Sequence, residues 1–203
     1  MRNDRSRAGE ESLKGIAIAH FKGPREWERW LEKNHTASPG LWLKIAKQAA
    51  GVESVSYADA LEIALCYGWI DSQKGRYDEQ FFLQKLTPRG SRSIWSKINR
   101  EKALALIESC RMKPAGMRAV DAARESGRWE AAYDSASAAA IPADLQAELD
   151  RNPAARAFFA TLKGTNRYAI LFRLQTAKKP ETRAKRMAEF LRMLANGETI
   201  YPQ

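Results

Sequence analysis

The sequence has few of the residues from which most catalytic and metal sites are built. Among its 203 residues are two histidines, His20 and His35, and two cysteines, Cys66 and Cys110. Neither histidine has a second histidine or a cysteine at the spacing of a zinc site, so any metal site would consist of carboxylates. We therefore expect no metal and no cofactor. Both cysteines fall in apolar helical patterns, so we expect buried thiols rather than a disulfide.

Several other signatures are also missing. The sequence contains no G-x-x-x-x-G-K-S/T phosphate loop, no G-x-G-x-x-G dinucleotide motif and no G-x-S-x-G nucleophile motif. The one apolar patch within residues 1–21 is residues 16–19, which is too short for the centre of a secretory signal. No run approaches the roughly 20 apolar residues that a membrane span needs. We therefore expect a cytoplasmic protein without membrane insertion.

The formal net charge of +10 is concentrated in two segments. Residues 85–118 carry nine basic and two acidic side chains, and residues 163–192 carry the same numbers, whereas residues 1–84 are balanced. If folding brings the two basic segments together, they form a face that attracts phosphate, nucleic acid or an acidic protein. If it does not, they are two solvated helix surfaces, which is the commoner outcome for basic helices without a motif.

The N-terminal half combines helix and strand signals. Capping residues and apolar spacing predict helices over 23–34 and from Ser56 to Gly68, and alternating apolar residues predict a strand over 41–47. The stretch 74–77, which contains a glycine, predicts the turn of a β-hairpin. We therefore predict an α+β fold with a small antiparallel sheet of three strands, or four if residues 15–21 join its edge, covered by helices.

The sequence becomes helical beyond residue 93. Periodicity and proline positions predict helices over 94–110, from Pro114 to before Gly127, from Pro142, from Asn152-Pro153, over 165–177 and over 180–196. Gly164 is expected to cap the end of a helix. We predict an N-terminal α+β unit over 15–93 and a helical C-terminal unit over 94–200, packed as one compact domain.

A basic stretch, LTPRGSRSIWSKIN at residues 86–99, connects the predicted hairpin to the first long helix. With Ser93 or Ser96 as N-cap, the unpaired N–H groups of that helix would lie close to Arg89 and Arg92. Guanidinium groups beside a helix N-terminus bind anions by ordinary electrostatics. The stretch therefore predicts an anion site.

The remaining predicted ligand-binding residues surround this stretch. The hairpin contributes Trp69 as a wall, and Asp71 and Gln84, opposite each other, as orienting groups; Trp95 is a second wall, Thr87 ends the strand, and Arg173, Lys178 and Arg183 come from the basic tail. Asp71 has two alternative roles: a hairpin aspartate that accepts local backbone N–H groups, or a general base in a tryptophan-lined pocket. We assign no catalytic residue.

Five segments resemble the bacterial YdeI/OmpD-associated, bacteriocin-protection family. They are SYADALEIALCYGWIDSQ (56–73), FLQKLTPR (82–89), SIWSKIN (93–99), RMKPAG (111–116) and NRYAILFRLQTAKKPETRAKRM (166–187). The resemblance runs from about residue 20 to Pro202. It implies a role in survival under cationic antimicrobial peptides, in association with an outer-membrane porin, and it supplies no catalytic mechanism.

These observations lead to one favoured function and two alternatives. We expect a cytoplasmic, non-enzymatic stress-protection protein that binds an anionic small molecule or an acidic protein. The alternatives are a small-molecule enzyme that uses Asp71 as general base, and a protein that binds nucleic acid nonspecifically, which is possible but not favoured.

Overall fold

The computed structural model describes residues 11–202, and this part of the chain contains five strands and eight α-helices. The predicted α+β fold with a helical C-terminal half is therefore confirmed. The described residues divide into two compact units. The N-terminal unit consists of residues 11–93 and 99–129, and the C-terminal unit consists of residues 94–98 and 130–202. The expectation of no secretory signal rests partly on residues 1–10, which lie outside the described range.

The N-terminal unit is built on a mixed five-stranded sheet. Its strands are β1 (Ser12–Leu13), β2 (Ile16–His20), β3 (Leu41–Ala46), β4 (Trp69–Arg76) and β5 (Phe81–Pro88), in the order β1-β2-β3-β5-β4. The helix α1 (Pro24–Asn34) connects β2 to β3, and these two strands run parallel; the other neighbours are antiparallel. A helical crossover returns the chain to the same end of the sheet, which permits this parallel pairing. The sheet thus has one strand more than the predicted maximum and is not purely antiparallel.

The turn of the β4–β5 hairpin lies three residues later than predicted. Strand β4 continues to Arg76, and Asp78 Oδ1 accepts hydrogen bonds from the N–H groups of Gln80 (2.8 Å) and Phe81 (2.7 Å). An aspartate that accepts from the backbone two residues on stabilises a tight turn, so Asp78 determines the turn. The prediction at residues 74–77 was wrong because it relied on the glycine at 75, which lies inside β4.

The later turn changes the pairing across the hairpin. Asp71 faces Leu86 and Lys74 faces Gln84, with one extra residue of β4 accommodated between Asp71 and Lys74. The predicted pairing of Asp71 with Gln84 is therefore wrong. Gln84 instead supports the irregularity, because its Nε2 donates to the carbonyl oxygen of Gln73 (3.1 Å).

An aromatic cluster joins α1, α2 (Tyr57–Cys66) and the sheet. Trp27 of α1 is fully buried, donates its indole N–H to the carbonyl oxygen of Ala60 (3.1 Å) and contacts the ring of Trp69 edge-on at 6.4 Å. Ser56 caps α2 by accepting a hydrogen bond from the N–H of Asp59 (3.1 Å), as its position predicted. Burial of the two indoles is a large apolar contribution to the free energy of folding.

The helices α3 (Lys97–Glu108) and α4 (Pro114–Glu125) follow the sheet, and α4 packs directly on the end of α2. A Cβ placed on Gly116 would lie 2.4 Å from the carbonyl oxygen of Cys66 and 2.7 Å from that of Leu65. Only glycine allows two backbones to approach this closely. This contact explains the glycine that ends the segment RMKPAG.

The two cysteines differ in exposure. Cys66 is buried, which raises the pKa of its thiol. Cys110 is exposed and has a φ of +56°, because α3 ends at Glu108 and the chain turns there in a left-handed conformation. The prediction that both thiols are buried is correct for Cys66 and wrong for Cys110.

The C-terminal unit contains four helices, α5 (Ala143–Arg151), α6 (Pro153–Thr161), α7 (Gly164–Gln175) and α8 (Pro180–Ala195). They bury one core, in which Leu145, Leu149, Leu174 and Leu194 are at most 1% exposed. Asn152 caps α6 through its side chain, since Oδ1 accepts from the N–H of Ala155 (3.1 Å). The predicted cap at Gly164 is wrong: Leu162 and Lys163 already have extended backbones, and Gly164 begins α7.

Candidate functional site

Three backbone N–H groups of the loop after β5 already have acceptors within the protein. The N–H of Arg89 donates to the carbonyl oxygen of Gly68 (2.9 Å), that of Gly90 to Ser93 Oγ (3.0 Å), and that of Ser93 to the carbonyl oxygen of Gly90 (3.0 Å). Ser93 therefore stabilises a turn and is not the N-cap of α3, which begins at Lys97, directly after Ser96. Nε and Nη2 of Arg89 are buried, while Arg92 is exposed. The side chain of Arg92 is thus the part of this loop most open to an anion.

The two tryptophans predicted as pocket walls have the burial of core residues. Trp69 is 1% exposed and donates its indole N–H to the carbonyl oxygen of His35 (3.1 Å). Trp95 is 2% exposed. A ligand could stack on either ring only if the ring moved out of the interior.

Asp71 is held by a side chain rather than by backbone N–H groups. Its Oδ2 accepts a hydrogen bond from the hydroxyl of Tyr57 at 2.7 Å, which joins the start of α2 to β4. The role that the sequence suggested for Asp71, accepting local N–H groups in the hairpin, belongs to Asp78. Thr87 faces Ile70 on β4, and β5 ends one residue later at Pro88, so the strand stops at Thr87-Pro88 as predicted.

Arg183 connects three helices of the C-terminal unit. Its Nε and Nη2 donate to the two carboxylate oxygens of Asp144 on α5, both at 2.7 Å, and its Nη1 donates to the carbonyl oxygen of Leu174 on α7. These bonds from Arg183 hold the pKa of the Asp144 carboxyl below its ordinary value, against the opposing effect of partial burial. Bidentate arginine–carboxylate geometry is among the stronger polar contacts in proteins. Arg183 is therefore a structural residue of the helical unit.

A second arginine of α8 acts on the same helix end. Arg186 Nη1 donates to the carbonyl oxygen of Arg173. The last carbonyl groups of a helix have no partner within the helix, and cations near them also interact favourably with the helix dipole. The two arginines of α8, Arg183 and Arg186, therefore cap the C-terminus of α7.

The remaining cations at this end of the unit are less engaged. Nη2 of Arg173 lies 3.4 Å from the hydroxyl of Tyr201, and its guanidinium lies 5.8 Å from the centre of that ring. Lys178 and Lys179 are exposed in the turn between α7 and α8. These three cations, together with Arg186 that bonds to the end of α7, are named the basic turn: Arg173, Lys178, Lys179 and Arg186. Lys179 and Arg186 were not among the predicted site residues, although the charge count over 163–192 includes both.

The predicted site residues fall into two sets. The N-terminal unit contains Trp69, Asp71, Gln84, Thr87, Arg89, Arg92 and Ser93, and the C-terminal unit contains Trp95, Arg173, Lys178 and Arg183. Convergence of the two sets on one concave site stays a prediction. Over residues 11–202, no group of three or more His, Cys, Asp or Glu side chains is arranged to hold a metal ion. None of the described helices has both the length and the apolar character required to cross a membrane.

Two family models match separate parts of the chain. Residues 19–119 match the model described as Domain of unknown function (DUF8412), and residues 138–197 match the model described as Bacteriocin-protection, YdeI or OmpD-Associated. No curated protein and no solved structure matches the chain. The second match includes the segment 166–187, so the resemblance is confirmed there, whereas the segments at 56–73, 82–89, 93–99 and 111–116 lie in the region of the first match. Over residues 138–197, the chain is similar to the YdeI/OmpD-associated, bacteriocin-protection family.

Proposed function

We propose that this protein contributes to protection against bacteriocins by binding an anionic partner through the basic turn, without catalysing a reaction. The family match over 138–197 suggests a function related to bacteriocin protection, and the basic turn lies within the matched residues. The partner that fits this surface is an acidic segment of another protein. The proposal includes a cytoplasmic location, which cell fractionation would test.

The observation that carries the proposal is that few of the nine basic side chains in residues 163–192 form ion pairs. Two of them form ion pairs among the described residues, Arg183 with Asp144 and Arg192 with Glu198. The other seven have no carboxylate within ion-pair distance in residues 11–202: Lys163, Arg167, Arg173, Lys178, Lys179, Lys185 and Arg186. Cations without nearby carboxylates raise the local positive potential and attract an anionic partner.

The position of Lys178 and Lys179 supports a role in binding. Both are exposed, and Lys179 is the N-cap residue of α8, a helix of 16 residues. The unpaired N–H groups and the dipole of such a helix add partial positive charge at this end. The N-terminus of α8 and the two lysines therefore both attract an anion.

The contacts of the turn with the rest of the unit also support the proposal. Arg183 and Arg186 fix the start of α8 against the end of α7, so the connection of four residues between the helices has both ends fixed. A surface whose backbone is already ordered loses less conformational entropy on binding. The cost of binding is then mainly that of the lysine side chains.

The proposal is tested with a fluorescein-labelled oligo-glutamate peptide, whose binding is followed by fluorescence anisotropy at two salt concentrations. We expect the affinity of the wild-type protein to fall as salt rises, because the surface charges are screened. The double variant K178Q/K179Q should bind about tenfold more weakly, which corresponds to about 1.4 kcal/mol.

The matched control is K22Q/K33Q, which removes the same charge from two exposed lysines of the N-terminal unit. It should bind as wild type does. Equal losses in both double variants would reduce the effect to net charge and would contradict the proposal. A single-stranded DNA probe that binds tightly with steep salt dependence, when the peptide does not, would favour the nucleic-acid alternative instead. In cells that depend on this protein for bacteriocin survival, K178Q/K179Q should protect less than K22Q/K33Q.

A further inference from the structure

A cleft of about 660 Å³ lies beside the β4–β5 hairpin in the N-terminal unit. Three cations, Lys47, Lys74 and Arg76, line it together with the aromatic rings of Tyr77 and Phe82. Its volume is in the range of small-molecule sites. None of these five residues was singled out as a ligand-binding residue by the sequence patterns, and none belongs to the basic turn.

The sheet geometry brings the three cations to this cleft from β4 and from the residue that follows β3. Lys74 and Arg76 are two residues apart on β4, so they project from the same face. Lys74 Nζ lies 4.4 Å from the centre of the Phe82 ring, and Arg76 is paired with Phe82 across the hairpin. Lys47 directly follows β3 and donates from Nζ to the carbonyl oxygen of Asp78 at 2.8 Å, which places its charge at the turn.

The three cations of the cleft form no ion pair within the described residues. Asp78 and Glu79 also line the cleft, but neither forms an ion pair within residues 11–202. Asp78 Oδ1 is committed to the N–H groups of the turn. The cleft therefore carries three cations against two carboxylates, a net positive lining on which an anionic ligand can replace the missing ion-pair partners of the cations.

Contacts with Lys44 hold the Tyr77 ring in position at this cleft. The Tyr77 hydroxyl accepts a hydrogen bond from Lys44 Nζ (2.6 Å), and Lys44 also pairs with Glu11 (2.8 Å). Lys44 Nζ lies 4.1 Å from the centre of the Tyr77 ring, which restricts the orientation of the ring. A ligand with an apolar or aromatic portion would gain contact area on Tyr77 and Phe82 in addition to charge pairing.

We propose that this cleft binds a small organic phosphate. Lys74 and Arg76 hold the phosphate group, since a guanidinium donates two parallel hydrogen bonds to phosphate oxygens and an ammonium adds a point charge. Lys47 adds positive charge from the turn, and the organic portion lies against Tyr77 and Phe82. This site is independent of the anionic partner proposed for the basic turn.

The test compares phenyl phosphate with inorganic phosphate by NMR titration of the amide groups. We expect phenyl phosphate to bind severalfold more tightly, and both ligands to shift the amide signals of Lys47 and of residues 74–82. The variant K74Q/R76Q should weaken both ligands at least tenfold. Amide shifts confined to other residues, or unchanged affinity in K74Q/R76Q, would overturn the proposal.

Two further variants separate the parts of the proposal. F82L should retain inorganic phosphate and lose the preference for phenyl phosphate; an unchanged preference would overturn the aromatic contribution. K22Q/K33Q removes the same charge as K74Q/R76Q and should bind both phosphates as wild type does. A loss of phosphate binding in K22Q/K33Q as large as that in K74Q/R76Q would reduce the effect to net charge and overturn the cleft. A thermal melt of each variant, with Tm close to that of wild type, ensures that a loss of binding is not a loss of fold.

Discussion

The two basic segments of the chain have the same charge, but they differ in how many of their cations form ion pairs in the structure. Residues 85–118 and residues 163–192 each carry nine basic and two acidic side chains. In the first segment four cations pair with carboxylates from elsewhere in the chain: Lys97 with Asp134, Lys102 and Arg111 with Glu62, and Lys113 with Glu28. In the second segment two do, Arg183 and Arg192.

The comparison shows that the charge of a segment is not the charge of the surface it forms. Glu62 of α2 holds Lys102 at 3.2 Å and Arg111 at 3.3 Å, so one carboxylate joins α2 both to α3 and to the connection after it. Cations of the first segment thereby serve the packing of helices. In the second segment two arginines cap a helix and the lysines of the basic turn stay exposed. Exposed, unpaired cations are the ones that a partner can use.

The largest expected effect concerns the helix contact within the first segment. G116A places a methyl group 2.4 Å from the carbonyl oxygen of Cys66, which neither backbone can avoid without moving. We expect the free energy of unfolding to fall by about 3 kcal/mol. Chemical denaturation measures it. The control is G90A in the same segment, where nothing lies within 4 Å and the change should be close to neutral; similar losses in both variants would contradict a tight contact at Gly116.

The next effect separates structural from exposed cations in the second segment. R183Q removes the bidentate contact with Asp144 and the cap on Leu174, and should lower the free energy of unfolding by about 1–2 kcal/mol, discounted because the pair is partly solvated. K185Q changes an exposed lysine of the same helix and should change it by less than about 0.5 kcal/mol. Thermal melts of both variants at neutral pH measure the difference. Equal stability of R183Q and K185Q would show that Arg183 is no more structural than the exposed lysines.

The next prediction concerns the pH dependence of stability that the ion pair between Lys97 of the first segment and Asp134 produces. Hydrogen bonds from Lys97 (2.6 Å in the ion pair) and Gln175 hold the pKa of the Asp134 carboxyl below its ordinary value. A lowered folded-state pKa contributes stability above the unfolded pKa of about 3.9, and this contribution is lost as pH falls through the folded value. D134N should therefore be less stable than wild type at neutral pH and converge with it in acid, measured by denaturation from pH 7 to pH 2. A difference that persists undiminished at the lowest pH would contradict this origin.

The smallest expected effect comes from a change that leaves two cations of the first segment without an ion pair, as most cations of the second segment are. E62Q removes the carboxylate that Lys102 and Arg111 share, at a stability cost of about 0.5 kcal/mol because the pairs are partly exposed. The two released cations should raise the affinity for the oligo-glutamate peptide about twofold, by anisotropy. The control E189Q removes an exposed carboxylate within the second segment. If E62Q does not raise the affinity for the peptide, ion pairing is not what keeps the cations of the first segment from binding it.

Local signals predicted the elements well where the structure depends on neighbours in sequence. The Gly23-Pro24 start of α1, the Ser56 cap of α2 and the Asn152 cap of α6 are contacts within one helical turn. The parallel pairing of β2 with β3 is not local, and the hairpin turn depended on a choice between a glycine and an aspartate, both of which favour turns. The pattern for Cys110 was apolar and helical, but α3 ends two residues before it.

The candidate site was less predictable than the fold for the same reason. A charge count gives the cations, whereas their partners lie far away in sequence: Arg111 and Glu62 are 49 residues apart, and Arg183 and Asp144 are 39 residues apart. Nothing in the segment 166–187 distinguishes Arg183, which bonds to Asp144 and Leu174, from Lys178, which is exposed. Which cations serve packing and which are open to a ligand follows only from the tertiary contacts.

The most direct test of the difference between the two segments is a comparison of two double variants that remove equal charge. K178Q/K179Q takes two exposed lysines from the second segment, and K102Q/K113Q takes two paired lysines from the first. Affinity for the oligo-glutamate peptide at low salt should fall about tenfold in K178Q/K179Q and stay within about twofold of wild type in K102Q/K113Q. A loss in K102Q/K113Q as large as that in K178Q/K179Q would contradict the account.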